Sequence, residues 1–140
     1  MERSLILIKP DGVQRSLIGT IISRLEKQGL KLIAIKMLKL DKSLAQQHYA
    51  PHKDKPFFNS LVTYVISAPI IAAIFEGKGA VELIRKAAGE TDPAKAAAET
   101  IRSDFGLDIE KNTIHGSDST ETAQMEIRLF FSDDEIFDYH

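Results

Sequence analysis

The chain has 140 residues, 44% hydrophobic and 27% charged, and its 18 Lys plus Arg against 20 Asp plus Glu leave a net charge of -2. This is an ordinary globular composition, long enough for one domain spanning residues 1–140 that buries roughly two-thirds of its unfolded surface. It lacks the basic surplus of a protein devoted to coating nucleic acid. The absence of cysteine excludes disulfides, thiol catalysis and cysteine-ligated zinc. Met1-Glu2-Arg3-Ser4 shows no signal-peptide pattern, and no apolar run is long enough to span a bilayer. A cytoplasmic protein without a membrane partner is expected.

Leu5 to Ile8 is a continuous apolar tetrad closed by Pro10. It is too short for a helix and reads as a central strand buried on both faces. Lys9 stands at the strand's exit, and Pro10-Asp11-Gly12 reads as a turn. Ile18, Ile21, Ile22 and Leu25 keep the spacing of one helix face, with Gly29 as the stop. Ile33, Ile35 and Met37 alternate with Ala34 and Lys36 in a second strand. Asp41 or Ser43 then caps a short helix carrying His48 and Tyr49.

Pro51 to Pro56 is a polar break. Phe58, Leu61, Val62 and Val65 resume helical spacing, Phe57 and Leu61 form an adjacent ridge, and Pro69 ends the helix. Ile70 to Phe75 makes a third strand and Ala80 to Ala88 a helix. Gly89 to Thr100 has no clear period, though the alanine-rich run Ala94–Ala98 favours some helix. A short helix over Thr100–Phe105, a brief strand at Thr113-Ile114 and a last helix from Thr120 to Phe131 complete the order. Ser132 to His140 is an acidic, aromatic tail expected to pack loosely or on a neighbour. The succession suits a split βαββαβ arrangement, ferredoxin-like: a four-stranded antiparallel sheet with helices on one face, in the α+β class.

Three features point to a site. In Asn112-Thr113-Ile114-His115-Gly116-Ser117-Asp118-Ser119, the histidine falls where a strand gives way to a turn and a helix. Taken alone, that is a surface histidine in a turn. Glu126 sits inside the apolar stripe Ala123, Ile127 and Phe130, and Arg85 sits inside the stripe Val81, Ile84 and Ala88. A buried charge without a partner costs several kcal/mol, so each needs one. Arg85 and Glu126 could pair with each other. Alternatively Glu126, on the helix that follows His115, folds back to fix the imidazole tautomer and leaves the other ring nitrogen free to attack. Lys9, Arg85 and Arg102 would then supply the local positive charge that an anionic substrate requires.

The stretch Asn112–Asp118 resembles the active-site signature of nucleoside diphosphate kinases. Lys9-Pro10-Asp11-Gly12-Val13-Gln14-Arg15, His48 to Phe58 and Thr100–Phe105 resemble three further blocks of that family, all in order along the chain. The resemblance implies transfer of the γ-phosphate of a nucleoside triphosphate to a nucleoside diphosphate, ping-pong, through a phosphohistidine. His115 would be the nucleophile and Glu126 its orienting partner. Lys9, Tyr49, Arg85, Thr91 and Arg102 would hold phosphates, and Lys9 and Asn112 would also reach the ribose. Phe57 would stack on the base in a slot shaped by Leu61 and Ile109, with broad base specificity as the consequence. Mg²⁺ would arrive on the nucleotide phosphates, no residue of the chain being assigned to a metal. The family forms homo-oligomers, with the hexamer expected here over the tetramer.

The other histidines, His48, His52 and His140, read as surface residues. The chain departs from the family pattern at Ala98-Glu99, where Pro-Gly is usual, and at Ser103, where glycine is usual. These departures bear on the path of the Gly89–Glu99 loop and on assembly. A non-catalytic nucleotide-sensing domain on the same scaffold is the second reading. A nucleic-acid-binding module is the third, disfavoured by the net charge.

Overall fold

The computed structural model describes residues 1–139, so the reading of His140 lies outside the described residues. Strand β1 (Glu2–Ile8) runs through the middle of a four-stranded sheet in the order β2-β3-β1-β4, where β2 is Lys31–Leu38, β3 is Ile70–Gly77 and β4 is Ile114–Gly116. All neighbouring pairs are antiparallel. This is the split βαββαβ topology, and the fold is α+β.

The helices are α1 (Pro10–Gln14), α2 (Ile18–Glu26), α3 (Lys42–His48), α4 (Phe58–Val65), α5 (Ala80–Ala88), α6 (Ile101–Phe105) and α7 (Thr120–Phe130). Pro10-Asp11-Gly12 opens α1 instead of making only a turn. Proline's fixed φ suits the first helical position, where its missing N–H is not needed. Of the two candidate caps for α3, Asp41 is the one used, accepting from the Leu44 N–H at 2.7 Å. Between α5 and α6 only Pro93–Lys95 forms a helical turn, capped by Asp92. Ala96–Ala98 stays outside it, so alanine's propensity does not extend the turn.

Helices cover both faces of the sheet, not one. Successive residues of β1 point to opposite sides. Leu5 and Leu7 join Ala45 of α3, Val62 and Val65 of α4 and Phe130 of α7 in one layer. Ile6 and Ile8 join Ile21 and Leu25 of α2, Ile84 of α5, Ile101 of α6 and Ile114 in the other. Each fully buried side chain of this size contributes roughly 1.5–3 kcal/mol by leaving water.

Strand β2 departs from the alternation read off the sequence. The register slips between Leu32 and Ala34, a bulge that buries both Ile33 and Ala34. Beyond it Ile35 and Met37 face outward, 47% and 58% exposed, although they were expected to share the buried face of Ile33. The tail packs on this same strand of its own chain. Phe137 N–H donates to Ile33 O at 3.0 Å, Tyr139 OH donates to Leu32 O, and Lys36 Nζ meets Glu135 at 3.1 Å.

Candidate functional site

β4 pairs with the C-terminal half of β1, His115 opposite Leu7 and Ile114 opposite Ile8. His115 therefore lies within the strand, not at the turn beyond it, and shares the Leu7 face with α3 and α7. Ile114 points into the opposite apolar layer. Asn112 and Thr113 lead into β4 through a strained step, since Thr113 takes φ +76°. Its backbone carbonyl accepts from Lys9 N–H at 2.9 Å, and its hydroxyl donates to Asp11 Oδ2 at 2.8 Å. Tyr64 OH donates to the other oxygen of Asp11 at 2.6 Å. Gly12 is required beside this step, because a Cβ there would lie 2.7 Å from Ile8 Cγ2 and 3.1 Å from Thr113 Cγ2.

Glu126 enters from α7, 7% exposed. Its carboxylate lies 3.1 and 3.0 Å from His115 Nε2 and accepts from Ser117 Oγ at 2.6 Å. Burial pushes the Glu126 carboxyl up, but hydrogen bonds and charge from His115, together with His48 and Ser117, outweigh it and hold the group below its ordinary value. An ionised carboxylate can only accept, so Nε2 carries the ring proton and Nδ1 keeps its lone pair. Arg85 is not Glu126's partner. It is exposed toward solvent rather than buried, and its Nη1 reaches Asp118 O at 3.4 Å.

His48 overturns its reading as a surface residue. It is 6% exposed and sits edge-on to His115 with ring centroids 4.7 Å apart, against Tyr49 and Phe130 as well. Its Nδ1 is 3.5 Å from Glu126, and neither ring nitrogen has a hydrogen-bond partner. Burial, then the neighbouring His115, depress its pKa to about 3, while Glu126 opposes them. The signal was present in the helical spacing of Ala45, His48 and Tyr49, which form one buried stripe along α3 and its C-cap. Ser117 was also missed, though it stands two residues beyond His115 and so on the same side of an extended chain. His52 is exposed, as read, with its ring 5.8 Å from that of Phe57.

One cleft of about 920 Å³ collects every site residue named from the sequence. His115 and Glu126 share its lining with Lys9, Asn112, Arg102, Arg85 and Thr91, and Tyr49, Phe57, Leu61 and Ile109 line it as well. Lys9 is 7% exposed and donates to Asn112 Oδ1 at 2.8 Å. Burial and then the charge of Arg102 lower its pKa to about 8. Asn112 Nδ2 in turn donates to Thr91 O at 2.9 Å and Ile109 O at 3.2 Å, tying two walls together. Arg102 donates to Gly89 O and Ile114 O, both at 2.7 Å, while its Nε has no partner. Its pKa falls to about 10 through burial and then the charge of Arg85. Phe57 at 45% and Ile109 at 62% exposed stand open, and Ser60 Oγ donates to Glu110 Oε2 at 2.6 Å beside them.

The Gly89–Glu99 loop keeps a left-handed step at Glu99, φ +70°, although glycine is absent there. Ser103 fits inside α6, its N–H donating to the capping Thr100 Oγ1 at 3.2 Å.

A carboxylate-held imidazole sharing one cleft with Lys9, Arg85 and Arg102, on a split βαββαβ sheet, is the equipment of a phosphotransferase. The family model for nucleoside diphosphate kinase matches residues 2–136. A nucleoside diphosphate kinase of Dehalococcoides mccartyi is 58% identical over 99% of this chain and 98% of its own. One from Archaeoglobus fulgidus is 52% identical over 99% and 92%. Among solved structures, a halophilic nucleoside diphosphate kinase from Halobacterium salinarum in complex with CDP superposes with a TM-score of 0.97 at 48% identity, covering 99% of this chain and 93% of that one. The Aquifex aeolicus enzyme gives 0.95 at 40% identity, with 97% and 99% covered. The chain belongs to the nucleoside diphosphate kinase family, and its activity is catalytic phosphoryl transfer between nucleotides. The non-catalytic reading is not favoured. No helix among the described residues is long and apolar enough to cross a membrane.

Proposed function

We propose that the γ-phosphate passes through His115, in a ping-pong cycle with a phosphohistidine intermediate. The observation that carries this is Glu126 engaged on Nε2, which leaves Nδ1 as the nucleophile. In the first half-reaction the Nδ1 lone pair attacks the γ-phosphorus, the bond to the β–γ bridging oxygen breaks, and the nucleoside diphosphate leaves. The ring becomes cationic, and the carboxylate of Glu126 stabilises it without a proton having to move. An incoming diphosphate reverses the sequence through its terminal oxygen.

Lys9, Arg85 and Arg102 suit the charge developing on the transferred phosphate. Tyr49 and Thr91 add hydroxyl donors, and Asn112 with Lys9 suits the ribose. Phe57, with Leu61 and Ile109, offers an open apolar slot. An aromatic face without edge donors accepts any base, which supports broad specificity. The CDP carried by the Halobacterium salinarum relative supports the same reading.

Lys9, Arg85 and Arg102 share the cleft with the nucleophile, and no cage of three carboxylates converges among the described residues. Mg²⁺ would be carried on the nucleotide's phosphates and would supply charge neutralisation there. The chain works in the cytoplasm as a homo-oligomer, a hexamer in preference to a tetramer, and light scattering after size exclusion reads that mass.

Incubation with γ-labelled ATP tests the intermediate. Label should appear on the protein, be acid-labile, and discharge to any added nucleoside diphosphate. Equal labelling of wild type and His115→Ala would reject the mechanism.

A further inference from the structure

His48 has no part in the cycle above, yet it is the most conspicuous polar side chain on the cleft floor. Its side chain is 1% exposed, and neither ring nitrogen has a hydrogen-bond partner. Its Nδ1 faces Glu126 Oε2 at 3.5 Å, and the same oxygen lies 3.0 Å from His115 Nε2. One donor atom from each of the three groups falls within 4.8 Å of the others.

We propose that His48, Glu126 and His115 form a second site, for a borderline divalent transition ion of the Zn²⁺ class, and that filling it switches His115 off. Two imidazoles and one carboxylate match the ligand set of three-ligand zinc centres. Bonds of about 2.0–2.1 Å in tetrahedral geometry place neighbouring ligand atoms about 3.3 Å apart. The distances from Glu126 Oε2 to the two ring nitrogens, 3.5 and 3.0 Å, bracket that spacing. Ser117 Oγ, donating to Glu126 Oε1 at 2.6 Å, already holds the carboxylate from its other oxygen, as the outer shell of a metal site does. All three ligands border the cleft, the side from which an ion would enter. Mg²⁺ does not compete, because it demands oxygen ligands in octahedral array.

The consequence follows from the tautomer. Nε2 of His115 now carries the ring proton and Nδ1 the free lone pair. An ion on Nε2 takes the lone pair there, and the proton passes to Nδ1. No bond forms at phosphorus, because Nδ1 has nothing to attack with. This inhibition rests on the phosphohistidine reading; the binding itself does not.

Equilibrium dialysis of the full chain in excess Mg²⁺ should show one Zn²⁺ per chain, and Co²⁺ should give the intense visible bands of a four-coordinate ion. His48→Gln and Glu126→Gln should each weaken uptake by more than the roughly 10- to 100-fold that loss of an outer-shell partner costs, while His52→Gln leaves it unchanged. Should His48→Gln fail to fold, ring-nitrogen NMR of the wild type serves instead: Zn²⁺ should shift the resonances of His48 and His115 together. No stoichiometric uptake, uptake indifferent to both ligand variants, or unmoved His48 resonances would each overturn the site. Label transfer in zinc-free buffer reads the phosphohistidine independently, and transfer that persists on a zinc-loaded chain would sink the inhibition while leaving the site.

Discussion

The two sides of β4 were built for opposite ends. Ile114 points into an apolar layer of Ile6, Ile8, Ile21, Ile84 and Ile101. His115, one residue on, points into the layer beneath α3 and α7, where Glu126, His48 and Ser117 interrupt the apolar packing of Phe130 and Leu7. The first side gains stability from close packing. The second gives up part of that gain to hold an imidazole in one tautomer, and the groups there survive burial only because most are paired. A strand can carry both because its side chains alternate.

The largest effects should come from exchanging the roles of these two residues for alanine. His115→Ala should lose phosphoryl transfer while keeping the fold, as the labelling experiment reads. Ile114→Ala should do the reverse in kind, destabilising the chain by about 2–5 kcal/mol in urea unfolding. If Ile114→Ala left stability unchanged, the dry layer would not be what supports the strand.

Next in size is Glu126→Gln. It should slow transfer roughly 100-fold with nucleotide affinity nearly unchanged, in single-turnover measurements. Unaltered turnover would remove Glu126 from the orienting role.

Acid should separate the layers a third way. The folded pKa of His48, about 3, lies below its ordinary 6.5, so the unfolded chain binds the extra proton first. That stability is fully present above about pH 6.5 and lost as pH falls toward 3. Glu126, also depressed, acts in the same direction below its ordinary value. Denaturation midpoints should fall across this range, and His48→Gln should flatten the upper part of the fall. A slope indifferent to that variant would mean His48 is not buried neutral.

The smallest effect belongs to Glu99, whose φ of +70° suits glycine. Glu99→Gly removes a left-handed strain of about 1–2 kcal/mol but frees the unfolded chain by about 0.4–1 kcal/mol. A net gain of about 0–1.6 kcal/mol is expected in thermal unfolding, and a loss would show that Glu99 is not strained.

The elements were legible wherever a local period repeats. Ile18 to Leu25, Phe58 to Val65 and Ala80 to Ala88 fold as helices because one apolar face recurs every turn. β1 is central because four consecutive apolar residues need cover on both sides. The misplaced charge of Glu126 also marked the site, since a carboxylate in an apolar stripe must find a partner. The partner's identity was not local. Arg85 and His115 were both eligible, and the pairing of β4 with β1 at Leu7 set His115 on Glu126's side of the sheet while Arg85 stayed exposed. The bulge after Leu32, which turns Ile35 and Met37 outward, likewise answers to β3 rather than to β2's own alternation.

By itself the sequence determined the order of strands and helices, the family and the candidate residues, because spacing and residue type act within a few turns of chain. Only the tertiary structure decided that both sheet faces are covered, that His48 is buried against His115, and that Glu126 meets Nε2. Those facts depend on which surfaces meet once distant segments pair, β4 with β1 above all, and no local pattern encodes that.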